Sequence, residues 1–329
     1  MVRKINKDGQ GRPNIVIPTI RDNEFFKKFL IKWQYEFEGC HLIIIEDRKK
    51  KQLSNFLEMH STIHKYTYEL YDWRDIDKDL GKNSWIIPRQ TDGVRNYGYL
   101  MAYKNKPEFI VTLDDDLEPL DKGHIMKFYN KLFTPSNIDP IYFSTMNGEV
   151  PRGSIHSGDN EVVVAHGTWV NVADYSAKQQ IAYEGLNVAK CEDFYDGQIP
   201  RGCLYSMCGM NLAWKTHWTK YMYFPLMGTK YPIDRCGDIW AGYYSKLLAD
   251  LDGKVHVTGY PMVIHNRASN PWTNLKKEKG EDVLGKEFIN VMLYDAEPTH
   301  EVEYFKKLKK AYIIWEELIN DIDKGNSDC

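Results

Sequence analysis

The chain has no run of apolar residues close to the about 18 that a bilayer-spanning helix needs. Its opening residues, Met1 to Gly11, are polar and charged, which reads as neither a secretory signal nor an anchor. Excess positive charge is missing too. The 43 Lys and Arg stand against 46 Asp and Glu, a formal net charge of −3, so no general attraction to nucleic acid or anionic lipid is expected. A polyanionic ligand must therefore be met by local cations or a metal. Six cysteines in 329 residues are too few for a disulfide scaffold. Cys203 and Cys208 lack the paired Cys-x-x-Cys spacing of a zinc ribbon, so reduced thiols and a cytoplasmic location are expected. Internal repeats and low-complexity tracts are absent as well. With 43% hydrophobic residues, the chain can bury the core of one large α/β domain or two smaller ones, with disorder only at its ends.

What is present is most pointed at Phe109-Ile-Val-Thr-Leu-Asp114-Asp115-Asp116. The apolar, β-branched run predicts a strand buried on both faces. Three carboxylates cannot follow it into a sheet core, because an unpaired buried charge costs several kcal/mol or is neutralised. They must emerge at the strand's C-terminal tip, where open α/β sheets bind ligands. Alternate residues of an extended tip point the same way, so Asp114 and Asp116 can share one hard cation while Asp115 faces elsewhere. The alternative is a solvated acidic turn.

Other elements follow from pattern. Asn14–Thr19 predicts a first strand, broken by Pro18, and residues 22–37 a helix capped by Asp22 or Asn23. His41–Asp47 is a second strand ending in acid, and a short strand lies near Tyr66–Leu70. Residues 91–104 form a helix opened by Thr91 or Asp92. Strand and helix alternate with all-buried strands, which argues for a parallel sheet wrapped by helices. Segments rich in Gly, Trp and Tyr, among them Ala165–Asn171, Met207–Ala213 and Gly237–Gly242, read as walls of a cleft. Val255–Ile264 is a late strand ending at His265. Glu301–Ile322 is a helix with one apolar face that packs against the body.

Several residues qualify as site candidates, each beside a plainer role. Asp47, at the second strand tip, can contact a nucleotide or cap a helix. The helix opening at Thr91 turns free N–H groups toward the same edge, which favours an anion. Arg95, one turn in, can reach a phosphate or pair with Asp92. His265 can complete a coordination sphere begun by two carboxylates, with Arg267, Lys276 and Lys277 behind it to neutralise a diphosphate. His166 is the competing histidine. Asp238 can cap the helix it opens or face a sugar. Arg152 reads as an ordinary surface arginine.

Ordered blocks through residues 14–278 resemble the UDP-arabinopyranose mutases, also called reversibly glycosylated polypeptides. They include Asn14-Ile-Val-Ile-Pro-Thr-Ile-Arg21, His41–Asp47, Tyr68-Glu-Leu-Tyr71 and Asp114-Asp115-Asp116. Pro151-Arg-Gly153, His166-Gly-Thr-Trp169, Met207–Ala213, Leu226-Met-Gly228, Asp238-Ile-Trp-Ala-Gly242, Ala268-Ser-Asn-Pro271 and Asn274–Glu278 continue the series. The resemblance implies a GT-A-like α/β fold with a mostly parallel central sheet flanked by helices. Within it, residues 1–12 are a flexible N-terminus and 13–280 a single catalytic domain. Its nucleotide half is about 13–120 and its sugar half about 121–280. Residues 281–329 form a C-terminal helical extension.

The resemblance also implies a UDP-sugar substrate, Mn²⁺ or Mg²⁺, and interconversion of UDP-arabinopyranose with UDP-arabinofuranose. Reversible self-glycosylation maps to Arg152. The metal candidates are Asp114, Asp116 and His265. Asp47, Asp92, Arg95, Arg21, Lys276 and Lys277 serve the nucleotide, and Arg152, Asp238 and Asp115 the chemistry. Assembly with copies of itself or with family members stays open, as does a position at the Golgi surface if the source is a plant. Three departures stand out: Gln90-Thr-Asp92-Gly-Val-Arg95 keeps only the acid and the arginine of the family's run there, the family's acid pair ahead of Ile239-Trp-Ala-Gly242 is reduced to Gly237-Asp238, and residues 279–329 show no match. The alternatives are a glycosyltransferase that passes sugar to a separate acceptor, and a non-catalytic nucleotide-sugar binder that assembles with active relatives.

Overall fold

A computed structural model of the chain describes residues 13–134, 161–171, 176–182, 195–266 and 270–325. Among these residues nine strands form one sheet: β1 (Asn14–Thr19), β2 (His41–Glu46), β3 (Thr67–Tyr71), β4 (Phe109–Leu113), β5 (Leu117–Pro119), β6 (Val162–Asn171), β7 (Gly197–Gln198), β8 (Asn211–Lys215) and β9 (Val255–His265). Their order is β3-β2-β1-β4-β8-β6-β9-β5, with β7 also on β9. The first four positions are parallel, in register Ile15↔Leu42 and Ile15↔Val111. Beyond them β8 runs antiparallel to both β4 and β6, while β6 and β9 are parallel.

The helices are α1 (Asn23–Trp33), α2 (Ser54–His64), α3 (Trp73–Leu80), α4 (Arg95–Lys104), α5 (His124–Phe133), α6 (Ala177–Ala182), α7 (Gly237–Leu251), α8 (Pro271–Lys277), α9 (Glu281–Leu293) and α10 (Val302–Gly325). The period-2 alternation of the strands splits the core into two layers. Ile15, Ile17, Leu42, Ile44, Phe109 and Val111 face one side, where Phe26, Phe29, Leu30 and Trp33 of α1 and Phe128 and Leu132 of α5 cover them. Val16, Ile43, Ile45 and Ile110 face the other, under α3, α4, α7, α9 and α10. Both layers are dry: each of these side chains is at most 2% exposed.

Several boundaries depart from the sequence expectation, among them α1, which ends at Trp33 rather than at residue 37. β1 runs on through Pro18 to Thr19. Its pairing with β4 ends at Val16, so Pro18 sits where the strand has one neighbour, a place that tolerates a missing N–H. The helix expected over 91–104 opens as a 3₁₀ turn at Asp92–Val94, with the Thr91 hydroxyl accepting from Gly93 N at 3.2 Å, and becomes α4 at Arg95.

α10 is built into the body. The Tyr304 hydroxyl donates to Leu226 O at 2.9 Å, and Trp315 Nε1 donates to Lys220 O at 3.1 Å. Trp315 is fully buried, its ring 5.4 Å from that of Tyr223. Among the described residues no helix is long and apolar enough to cross a membrane.

Candidate active site

The parallel half of the sheet brings the C-terminal ends of β1, β2 and β4 to one edge, and beyond it lies a cavity of about 790 Å³. Asp114 and Asp116 at the β4 tip, His265 at the end of β9, Asp92, Arg95, Asp238 and Lys277 all line it. Asp47, Asp115, Arg21 and Lys276 are not among its lining residues. Arg152 and Arg267 lie outside the described residues.

The triple-aspartate tip alternates as an extended chain must. Asp115 turns away from the cavity and is buried, accepting from the Thr19 hydroxyl at 2.5 Å and from Arg21 Nε at 3.5 Å. Loss of solvent raises its pKa to about 6, with the neighbouring charges of Asp114 and Asp116 adding to the effect against Thr19 and Arg21. Arg21 also reaches Asp116, Nη2 to Oδ2 at 3.4 Å. Its place is therefore beneath the acidic tip, as a counter-charge.

Arg95 holds the other side. The residue is 4% exposed. Nη2 donates to Asp114 Oδ1 at 2.7 Å, Nε to Asp92 O at 2.9 Å, and Nη1 to the Thr112 hydroxyl at 3.1 Å and to Gly209 O. Burial alone would lower its pKa; Asp114, Tyr99 and Asp92 together push it above the usual arginine value. One fork thus ties the β4 tip, the Thr91–Asp92 turn and the loop ahead of β8.

Asp47 is engaged at both oxygens. Trp73 Nε1 donates to Oδ1 at 2.7 Å and Gln90 N to Oδ2 at 2.6 Å, and burial raises its pKa. It links the β2 tip to the turn that carries Asp92. Asp238 opens α7, its Oδ2 accepting from Gly209 N at 3.1 Å and its Oδ1 from Ile239 N at 2.9 Å. Asp238 N in turn donates to Asp92 Oδ2 at 3.3 Å.

His166 belongs to a different setting. Its Nδ1 lies 2.7 Å from the Tyr205 hydroxyl and 3.1 Å from the Thr258 hydroxyl, and burial lowers its pKa to about 4. Beside it, β6 is interrupted by a register shift between Gly167 and Trp169. A Cβ on Gly167 would come within 2.2 Å of Asn211 Nδ2 and 2.3 Å of Pro261 O, so the close approach there requires glycine. Asn211 holds the bulge by donating to Pro261 O at 2.9 Å and Thr168 O at 3.3 Å.

The outer wall is charged. Lys277 Nζ lies 3.8 Å from Asp234 Oδ2, Arg235 Nε lies 3.5 Å from Glu278 Oε1, and Lys178 pairs with Asp282. Glu278 also accepts from Ala177 N at 2.9 Å, joining α6 to the end of α8. Lys178, Arg235 and Glu281 line the cavity and are not among the candidates that the sequence offers. Arg235 had a faint signal, a cation just ahead of the helix start at Gly237-Asp238; Lys178 and Glu281 had none.

Among the described residues no three His, Cys, Asp or Glu side chains are grouped closely enough to hold a metal by themselves. Two carboxylates and an imidazole lining one cavity still suit a hard cation whose remaining ligands come from a phosphate group.

The single sheet covered by helices on both faces, with its acidic tip on a central parallel strand, is a fold of the GT-A glycosyltransferase type. Mannosyl-3-phosphoglycerate synthase from Rubrobacter xylanophilus shares it with a TM-score of 0.53 at 8% identity, over 88% of this chain and 77% of that one. The profile described as "Reversibly glycosylated polypeptide" matches residues 9–296, and the chain belongs to that family. Probable UDP-arabinopyranose mutase 1 of Pisum sativum is 32% identical over 96% of this chain and 92% of its own length. UDP-arabinopyranose mutase 1 of Arabidopsis thaliana is 32% identical over 94% and 92%. The family match runs past residue 279 and through α9, so the resemblance extends beyond the blocks legible in the sequence.

Proposed function

We propose that the protein interconverts UDP-arabinopyranose and UDP-arabinofuranose in the cavity at the β4 tip, with Mn²⁺ or Mg²⁺ as cofactor. The observation that carries this reading is the near full-length match to the mutases, on a chain whose acidic tip opens into a cavity large enough for a nucleotide sugar. Asp114 and Asp116 would hold the metal, and His265, lining the same cavity, is the candidate third protein ligand although the three side chains are not grouped as they stand. The bound ion would offset charge on the departing diphosphate. Arg95 keeps Asp114 oriented, Arg21 pairs with Asp115 and Asp116 at the tip, and Lys277 supplies a further cation lining the cavity. Asp92 and Asp238 stand where α7 meets the cavity and would face the sugar.

The reaction also needs UDP kept beside the freed sugar, so that recapture outpaces escape. It needs water kept away from a reactive anomeric carbon; Trp169, Tyr243 and Met207 supply apolar surface on that side. Reversible glycosylation of Arg152 rests on the resemblance around Pro151-Arg-Gly153.

The test is incubation with UDP-arabinopyranose and Mn²⁺, with no added acceptor, and chromatographic separation of the products. A furanose nucleotide is the expected outcome. Free UDP and free sugar alone would point to a transferase whose acceptor is missing. For Arg152, the protein should gain a labelled sugar that Arg152→Ala abolishes; label retained by that variant places the attachment elsewhere.

A further inference from the structure

Changing a six-membered arabinose ring to a five-membered one moves a proton. In the pyranose, O5 closes the ring on C1 and O4 carries hydrogen; in the furanose the two have exchanged roles. Some group must take a proton from O4 and return one to O5, and no role assigned above does this. Resting on the mutase reading, we propose that Asp92 is that proton carrier, with Asp238 as the residue that positions and tunes it.

The geometry separates the two carboxylates. Both oxygens of Asp238 accept backbone N–H groups, from Gly209 and Ile239. Asp92 gives Oδ2 to the N–H of Asp238 at 3.3 Å, while Oδ1 has no hydrogen bond recorded among the described residues. A Cβ on Gly237 would come within 2.7 Å of Asp92 Oδ2 and 3.0 Å of Oδ1, so the carboxylate lies directly over the first turn of α7, at the cavity wall. The groups facing it are Asp238 on α7, Arg95 on α4 and Arg235 ahead of α7. Loss of solvent and then the charge of Asp238 outweigh the two arginines and raise its pKa. A carboxylate with raised proton affinity is a better base for a hydroxyl and still gives the proton up again.

The step balances without any added reactant. The C1–O bond to the diphosphate breaks and its electron pair leaves with UDP, so positive charge is shared by C1 and O5. O4 then bonds to C1 as its proton passes to the Asp92 carboxylate. The C1–O5 bond breaks with its pair staying on O5, which receives that proton from Asp92. The diphosphate oxygen recaptures C1, and Asp92 ends ionised as it began. A base that starts ionised works above its pKa, so ring interconversion is lost as pH falls through about 6, the value to which Asp92 is raised.

The experiment measures furanose nucleotide formed per UDP released, from UDP-arabinopyranose and Mn²⁺, for the wild type, Asp92→Asn and Asp238→Asn between pH 5 and 8. Circular dichroism and melting curves check that the variants fold. The wild-type ratio should fall below pH about 6. Asp92→Asn should lower the ratio by roughly 10²-fold or more, with no acid limb left. Asp238→Asn should move the limb to lower pH. An Asp92→Asn ratio within threefold of an active wild type overturns the assignment alone. A wild type that makes no furanose at any pH overturns the mutase reading and this assignment with it. If Asp92→Asn does not fold, the wild-type profile decides, and a ratio flat from pH 5 to 8 refutes the carrier.

Discussion

Arg95 shows how much rests on single side chains. Its fork supplies donors to Asp92 O, Gly209 O, Thr112 and Asp114. Arg95→Ala leaves several of these acceptors unsatisfied, at a cost of about 2–4 kcal/mol in urea unfolding. Arg95→Lys keeps the charge without the planar fork and should fall between the variant and the wild type. A loss under about 0.5 kcal/mol for Arg95→Ala would mean the guanidinium is better hydrated than its burial implies. His166 offers a pH test of a different kind. Its folded pKa of about 4 lies below the about 6.5 of an unfolded histidine, so its contribution is complete above pH 6.5 and fades as pH falls toward 4. The stability gap between wild type and His166→Gln should therefore move against the wild type by about 1 kcal/mol per pH unit from 6.5 down to 4.5. A gap that does not change with pH would show that the imidazole is protonated in the fold.

At the scale of elements, α10 belongs to the core. Trp315→Ala should cost about 3–5 kcal/mol, read from the shift of a thermal or chemical unfolding midpoint. A marginal effect would show that α10 only rests on the surface. Gly167→Ala should destabilise by at least 1–3 kcal/mol, since the new methyl meets Asn211 and Pro261 O. These elements also show what the sequence reveals and what it hides. β1, β2 and β4 are legible because apolar runs end in a polar or acidic residue, and β9 because Val255, Val257 and Met262–Ile264 carry the strand to His265. β6 and β8 are not, because Gly167, Thr168 and Asn211 interrupt the apolar pattern for the sake of a bulge that only the folded pairing explains. They looked like cleft walls; Trp169 and Met207–Met210 do line the cavity, while Asn211–Ala213 are strand.

For the molecule as a whole, the GT-A architecture follows from the alternation of buried strands and amphipathic helices, and the acids at the β4 tip mark the ligand edge because charge cannot stay inside a sheet. What the linear chain could not disclose is which cations meet across that edge. Arg21 and Arg95 look alike as candidates for phosphate, and only the tertiary fold sets both against acids. Since no group of three metal-binding side chains exists among the described residues, cation and nucleotide should bind together. UDP with Mn²⁺ should raise the melting temperature by several degrees where either alone moves it little, as expected when the pair binds only the folded state. An equal shift from Mn²⁺ alone would indicate a complete protein cage.

The mouth of this cavity is fastened by two kinds of joint. One lies inside, where a nearly dry guanidinium grips three loops and dissolved ions do not reach it. The other is a row of wet rivets that joins α6 to α9 and the end of α8 to the segment ahead of α7, whose partners stand mostly between a quarter and two thirds in water. Brine would slacken the second and leave the first tight, so the doorway should widen from its outer jamb while the hinge side keeps its shape.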